Sequence, residues 1–182
     1  PPRGRGHVTT LASPLRDPEA GAAMERTVLL IKPDGVSRGL NFEIAERFEA
    51  RGFVLVGCRM QQAGAEAARA HYTPRLSGEA LDAAVASLTA GPIVAMAWQA
   101  EGALALAREM AGDADPLRAK AGTVRGDLAA TAAHNLVEVS ADAEAAVREM
   151  RLWFDDELMA EGAGAPARRP QPAGAGAGAA EG

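Results

Sequence analysis

The residues predict an α+β domain: a four-stranded antiparallel sheet in a split βαβ arrangement, with helices on one face. Two observations carry this. Between residues 24 and 161, short β-branched and leucine runs alternate with stretches whose apolar residues recur every three or four positions, the contrast between strand and helix periodicity. Their order is strand, helix, strand, helices, strand, helix, loop, strand, helix, which contains two strand–helix–strand units.

Residues 27–31, TVLLI, are a β-branched and leucine run ended by Pro33, Asp34 and Gly35, as for a buried strand entering a loop. Leu40, Ile44 and Phe48 then recur every fourth residue with Gly52 behind them as a C-cap, so residues 41–51 predict an amphipathic helix. Residues 53–60, FVLVGCRM, form the next strand. Residues 65–72 and 78–90 are alanine-rich helical stretches, the second closed by Gly91 and Pro92. A continuous apolar strand over 93–98, a helix over 102–110 and a short strand over 136–139 follow. A helix over 142–150, with Ala145, Ala146 and Met150 on its apolar side, completes the domain. Residues 112–135 are punctuated by glycine and keep no period. A loop that long inside a compact domain is uncommon unless it has a task, so a site is sought there first.

The flanks differ in texture. Residues 162–182, GAGAPARRPQPAGAGAGAAEG, have almost nothing to bury and predict a flexible tail. Residues 1–23 hold Arg3, Arg5, Arg16, Ser13 and two threonines, which fits the remainder of an organelle transit peptide; Asp17 and Glu19 fit a plain disordered extension instead.

Among 182 residues, 48% are apolar and 24% charged, the balance of a soluble globular protein. The net charge of -5 gives no basis for a nucleic-acid surface, although a few local arginines can still hold a small anion. No run approaches the roughly 18 apolar residues a membrane helix needs. The single cysteine, Cys58, lies in the apolar run 53–60, where a buried thiol is expected. It fits a reducing compartment, cytoplasmic or organellar, without selecting one.

Lys32 in IKPDG, Arg108, Arg125 in GTVRGD and Asn135 in HNLVEVS stand at or near predicted strand and helix ends. Cations so placed suit a polyphosphate, arginine offering paired donors and lysine a point charge; each alone is equally a solvated surface group.

IKPDGVSRGL, ERFEARGF, the pair His71 and Tyr72, SLTAGPIVAMAW, GTVRGD, HNLVEVS and REMRLWF resemble, in order, the successive signatures of nucleoside-diphosphate kinases, from residue 25 to about 158. IKPDG and GxxRGD are specific in combination. The resemblance implies a ferredoxin-like domain that assembles into dimers and then tetramers or hexamers. It also implies ping-pong transfer of a γ-phosphate through a phosphohistidine, with Mg²⁺ on the phosphates. By the same resemblance Lys32, Tyr72, Arg108, Arg125 and Asn135 hold ribose and phosphates, and Glu149 orients the catalytic histidine.

The chain departs from that pattern at its chemistry. Where the family has NxxHGSD this sequence has NLVEVSAD, so Glu138 stands at the nucleophile position and Val139 replaces the glycine. Ala80 aligns with the phenylalanine that stacks on the base, and Ala114 with a phosphate-binding threonine. A carboxylate is a possible phosphoryl acceptor, but it faces an anionic phosphate and stands near Glu149. The opposite reading is a lost nucleophile, solvated or paired with Arg125 or Lys32. His134 flanks Asn135 on what strand alternation makes the opposite face and is not expected to substitute; His71 is expected to be structural, and His7 lies in the leader. The expectation is a domain of this family without phosphotransfer, with weak nucleotide binding, no metal site of its own and a structural or regulatory role as a homodimer or subunit of a larger complex. An active kinase, and a scaffold in which Lys32, Arg108 and Arg125 pair with Glu138, are the alternatives.

Overall fold

Strands β1 (Met24–Ile31), β2 (Val54–Gln62), β3 (Pro92–Glu101) and β4 (Val137–Val139) form one sheet in the order β2-β3-β1-β4 in the computed structural model, which describes residues 24–154. All neighbouring strands are antiparallel. The leader over 1–23 and the tail over 162–182 lie outside the described residues. Helix α2 (Asn41–Ala50) connects β1 to β2, and α5 (Ala103–Ala111) opens the connection from β3 to β4. Each connection skips one strand, which makes the expected split βαβ topology.

Strand alternation feeds two cores. Leu29 and Ile31 of β1, with Val94, Met96 and Trp98 of β3, pack against Ile44 and Phe48 of α2 and against Ala103, Ala107 and Ala111 of α5. Val28, Leu30, Ile93, Ala95 and Ala97 point the other way. They meet α3 (Ala65–Tyr72), α4 (Gly78–Thr89) and α7 (Ala143–Trp153) through Ala68, Tyr72, Leu81, Val85, Leu88, Ala146, Met150 and Trp153. The crossover helices occupy one face, as expected, but the other face is covered too. Burial on both sides is why β1 and β3 read as continuous apolar runs rather than alternating ones.

Three local expectations are corrected. Pro33 does not open a loop: with φ preset and no N–H to satisfy, it starts the short helix α1 (Pro33–Ser37). The loop over 112–135 contains a second short helix, α6 (Val124–Leu128), on the GTVRGD segment. Cys58 is exposed, not buried. It lies on β2, the edge strand, where Val56 packs toward the core while Leu55, Cys58 and Met60 face outward; partial desolvation pushes its thiol pKa up.

Between α3 and α7 a buried polar chain backs the end of the sheet. Ser140 Oγ donates to Glu149 Oε2 at 2.7 Å and accepts from Val28 N at 3.0 Å, tying β4 to β1 and α7. His71 accepts from Trp153 Nε1 at 3.4 Å and lies 3.2 Å from Arg75 Nη2. Its Nδ1 is 3.6 Å from Glu149 Oε1, an ion pair only for a charged ring. Burial, and secondly Arg75 and Arg148, hold the imidazole neutral, with its pKa lowered to about 3. Unfolding frees a group that titrates at 6.5. Stability is therefore fully present above that value and falls as pH drops from 6.5 toward 3, by about 1.4 kcal/mol per pH unit from this group alone. Glu149, raised by burial, works in the opposite direction, and Asp127, lowered by the Gly122 N–H and Arg47, acts only below 3.8. Urea midpoints measured between pH 6.5 and 5 should fall in the native chain and run flatter in His71→Phe. An unchanged slope in the variant would place the titration elsewhere.

Candidate active site

β1 delivers Lys32 at its end, directly before α1. Lys32 N donates to Leu136 O at 2.8 Å, and Leu136 N donates to Asp34 Oδ2 at 3.1 Å. Those bonds hold Leu136 in the left-handed region at φ 69°, a conformation that costs a non-glycine residue about 1–2 kcal/mol. The turn re-aims the chain, so β4 starts at Val137 and not at Leu136.

On the other side stands Arg125, buried on α6. Thr123 Oγ1 caps that helix by accepting from Gly126 N at 3.1 Å, and Gly126 has no room for a side chain because a Cβ there would strike the Lys120 carbonyl. Arg125 donates from Nη1 to Gly112 O at 2.7 Å, from Nη2 to Val137 O at 2.7 Å and from Nε to Asn135 O at 3.3 Å. Burial lowers its pKa, partly offset by the Glu138 and Asp113 carboxylates. Asn135, buried beside it, donates from Nδ2 to Ala114 O at 2.9 Å. Ala114 thus contributes a backbone acceptor where the resemblance implies a threonine hydroxyl.

Glu138 pairs with Leu30 across the sheet and therefore points to the α3 side. There Tyr72 Oη donates to Oε1 at 3.4 Å and Arg75 Nη1 donates to Oε2 at 3.4 Å. The guanidinium of Arg75 also lies over the Tyr72 ring, 5.5 Å from its centroid. Burial first, then the Glu138 charge, raises the Tyr72 pKa and keeps its hydroxyl a donor. The Lys32 amine is pulled down mainly by burial, with Glu138 and Asp34 opposing and Arg125 adding to it.

Lys32, Tyr72 and Arg125 thus lie around Glu138, with Asn135 beside Arg125 on the loop side, while the pairing expected for Glu138 is corrected. Its partner is Arg75, which the sequence reading missed. Arg125 spends its nitrogens on carbonyls, and Arg108, exposed on α5, donates to Ala141 O at 2.5 Å just before α7. The signal for Arg75 was its spacing: three residues after Tyr72 and four after His71, where one further turn brings it over both. Glu149 forms no hydrogen bond to Glu138 among the described residues; it is held by Ser140. Ala80 is exposed on α4. His134 is exposed and turned onto Thr131, with its backbone N 3.2 Å from Thr131 Oγ1. A separate cleft lined by Arg47, Leu106, Met110, Lys120 and Thr123 lies on the α2 and α5 side and includes none of these groups.

The family model for nucleoside diphosphate kinase matches residues 25–159. A nucleoside diphosphate kinase of Microcystis aeruginosa is 44% identical over 137 residues, covering 75% of this chain and 92% of that protein. One from a Synechococcus strain is 45% identical over 133 residues, covering 73% and 89%. Among solved structures, a nucleoside diphosphate kinase family protein from Babesia bovis superposes with a TM-score of 0.70 at 34% identity, over 74% of this chain and 90% of that one. With the family model matched over residues 25–159 and relatives 44–45% identical over most of their length, this chain belongs to the nucleoside diphosphate kinase family.

Proposed function

We infer that this chain binds nucleotides weakly at the site around Lys32, Tyr72, Arg108, Arg125 and Asn135, that it does not carry out the phosphotransfer step, and that it acts as a structural or regulatory subunit. The observation that carries this is Glu138. At the family's nucleophile position stands a carboxylate, already engaged by Tyr72 and Arg75. An imidazole attacks phosphorus with a neutral nitrogen lone pair; a carboxylate brings a negative charge against an anionic phosphate. Glu149 and Ser140 keep each other as partners, so neither is poised to serve position 138. The cradle itself supports binding: Lys32 and Arg125 are buried, the main chain of the first bonded to Leu136 and the guanidinium of the second to three carbonyls, and Tyr72 supplies a hydroxyl. Magnesium enters, on this reading, on the phosphate oxygens of the nucleotide, and no set of three metal-ligating side chains among the described residues forms a site for it alone. Exposed Ala80 offers no ring for a base, which accounts for weak affinity.

Incubation with ATP labelled at the γ-phosphate tests the lost step. The expected result is an unlabelled protein and background exchange between ATP and a second nucleoside diphosphate. An acid-labile label would reveal a phosphohistidine, and a hydroxylamine-labile one an acyl phosphate on Glu138. Either, or exchange within about tenfold of an ordinary kinase turnover, overturns the reading.

Assembly is the second part of the inference. β2 is a sheet edge, and α2 and β2 present Phe42, 85% exposed, with Leu55 at 39% and Met60 at 59%. An unpaired edge beside exposed apolar side chains calls for cover, and a second copy of this chain supplies it. Light scattering at micromolar concentration should give a dimer that Phe42→Asp shifts toward monomer. A monomeric native chain, or a stable hexamer, would show that this face is used otherwise.

A further inference from the structure

A cation and a buried acceptor where β1 and β4 meet the loop over 112–135 carry no side-chain hydrogen bond that uses them among the described residues. The Lys32 side chain belongs to a residue only 5% exposed, yet its ammonium forms no hydrogen bond and no ion pair among the described residues. Asn135 is 7% exposed and its Oδ1 accepts from nothing among them. A buried acceptor is nearly always matched, so the unspent Asn135 Oδ1, together with a cation that has no ion pair, marks a place that a ligand completes. The cation calls for an anion.

The charge balance limits which anion. Lys32, Arg75 and Arg125 bring positive charge to the site; Glu138 lies against Arg75 at 3.4 Å and its field reaches both Lys32 and Arg125. Any anion that touches Lys32 and Arg125 together must sit in the field of that carboxylate, in a setting where Coulomb terms are several times stronger than in water. Tyr72 and Arg75 hold Glu138 from the α3 side, so it does not swing freely aside.

We propose that Glu138 makes this a site for nucleoside diphosphates and not triphosphates: its carboxylate, fixed by Tyr72 and Arg75 among the cations, stands in for a terminal phosphate and turns away a ligand that brings one of its own. The proposal rests on the nucleotide-binding reading above and adds the ligand class to it. A diphosphate meets Lys32 and Arg125 while leaving the Glu138 corner to the carboxylate. A triphosphate adds both length and about one further unit of charge toward that corner, and like charges there oppose each other. The resident carboxylate thereby gives the empty protein the charge pattern of one already carrying an anion at position 138.

Calorimetry on the full chain with ADP and with ATP, in the absence of magnesium so that the phosphate charges are unmasked, decides it. The native protein should bind ADP at least about tenfold more tightly than ATP. Glu138→Gln, nearly the same shape without the charge, should raise ATP affinity by about that factor and change ADP affinity much less, abolishing the preference. Arg75→Gln, which leaves Glu138 in place with its charge unpaired, should widen the preference, and it serves as the second variant if Glu138→Gln does not fold. Comparable affinity for the two nucleotides in the native chain, or a preference unmoved in both variants, overturns the proposal while leaving nucleotide binding intact. Absence of binding by either nucleotide overturns the nucleotide-binding reading and the proposal with it.

Discussion

The buried guanidinium of Arg125 is the interaction on which the site depends. Three carbonyl oxygens from Gly112, Asn135 and Val137 converge on it, which closes both ends of the loop over 112–135 onto the start of β4. Desolvating a guanidinium is costly, and the cost is tolerable only because its fork geometry satisfies several acceptors at once. A lysine, with a single point of charge, would leave carbonyls unmatched. Once that loop is fixed, Leu136 is driven into its left-handed turn, Lys32 N finds Leu136 O, and the Lys32 ammonium comes within the field of Arg125. Backbone strain at Leu136 is thus balanced by a set of bonds made by neighbours, with no dependence on the residue at 138.

That separation explains how the chain holds the family fold without help from the side chain at 138. The bonds that position the cradle run from side chains to main chain: Arg125 to three carbonyls, Asn135 to Ala114, Asp34 to Leu136 N. None requires a histidine. Glu138 makes only long contacts, at 3.4 Å, to Tyr72 and Arg75, and its side chain keeps 17% of its surface exposed. A position whose own contacts supply none of the frame's bonds is free to change its chemistry while the sheet and loop remain as they are.

The strands and longer helices were legible because their information is local and periodic: Leu40, Ile44 and Phe48 define a helix face without any knowledge of their partners. The second helical layer was not legible in the same way. An apolar run such as IVAMAW states that both faces of β3 are buried, but the expectation of helices on one face followed from topology, and only the alternation of Ala95 and Val94 toward different helices resolves it. Cys58 was misjudged for a related reason: an apolar run on an edge strand is half exposed, and edge position is a property of the sheet as a whole. Within the site, residues on recognisable loops were found by their motifs. Arg75 was missed because it lies past the end of α3 in a segment without a motif, and its role exists only where α3 and β4 meet in space.

Arg75 also shows why a carboxylate at 138 is tolerated here. An isolated Glu138 would face the buried Glu149, and each would disfavour the other's charge; burial already pushes the Glu149 pKa up, with Glu138 adding to it. Arg75 reaches both ends of that conflict. It donates to Glu138 Oε2, its charge lowers the pKa of Glu149, and its other nitrogen rests against His71. One guanidinium therefore lets two carboxylates and a neutral imidazole share a small volume, and it adds to burial, the larger cause, in keeping that imidazole neutral. The group paired with Glu138 is thus also one that, second to burial, disfavours the charged form of the nearest buried histidine.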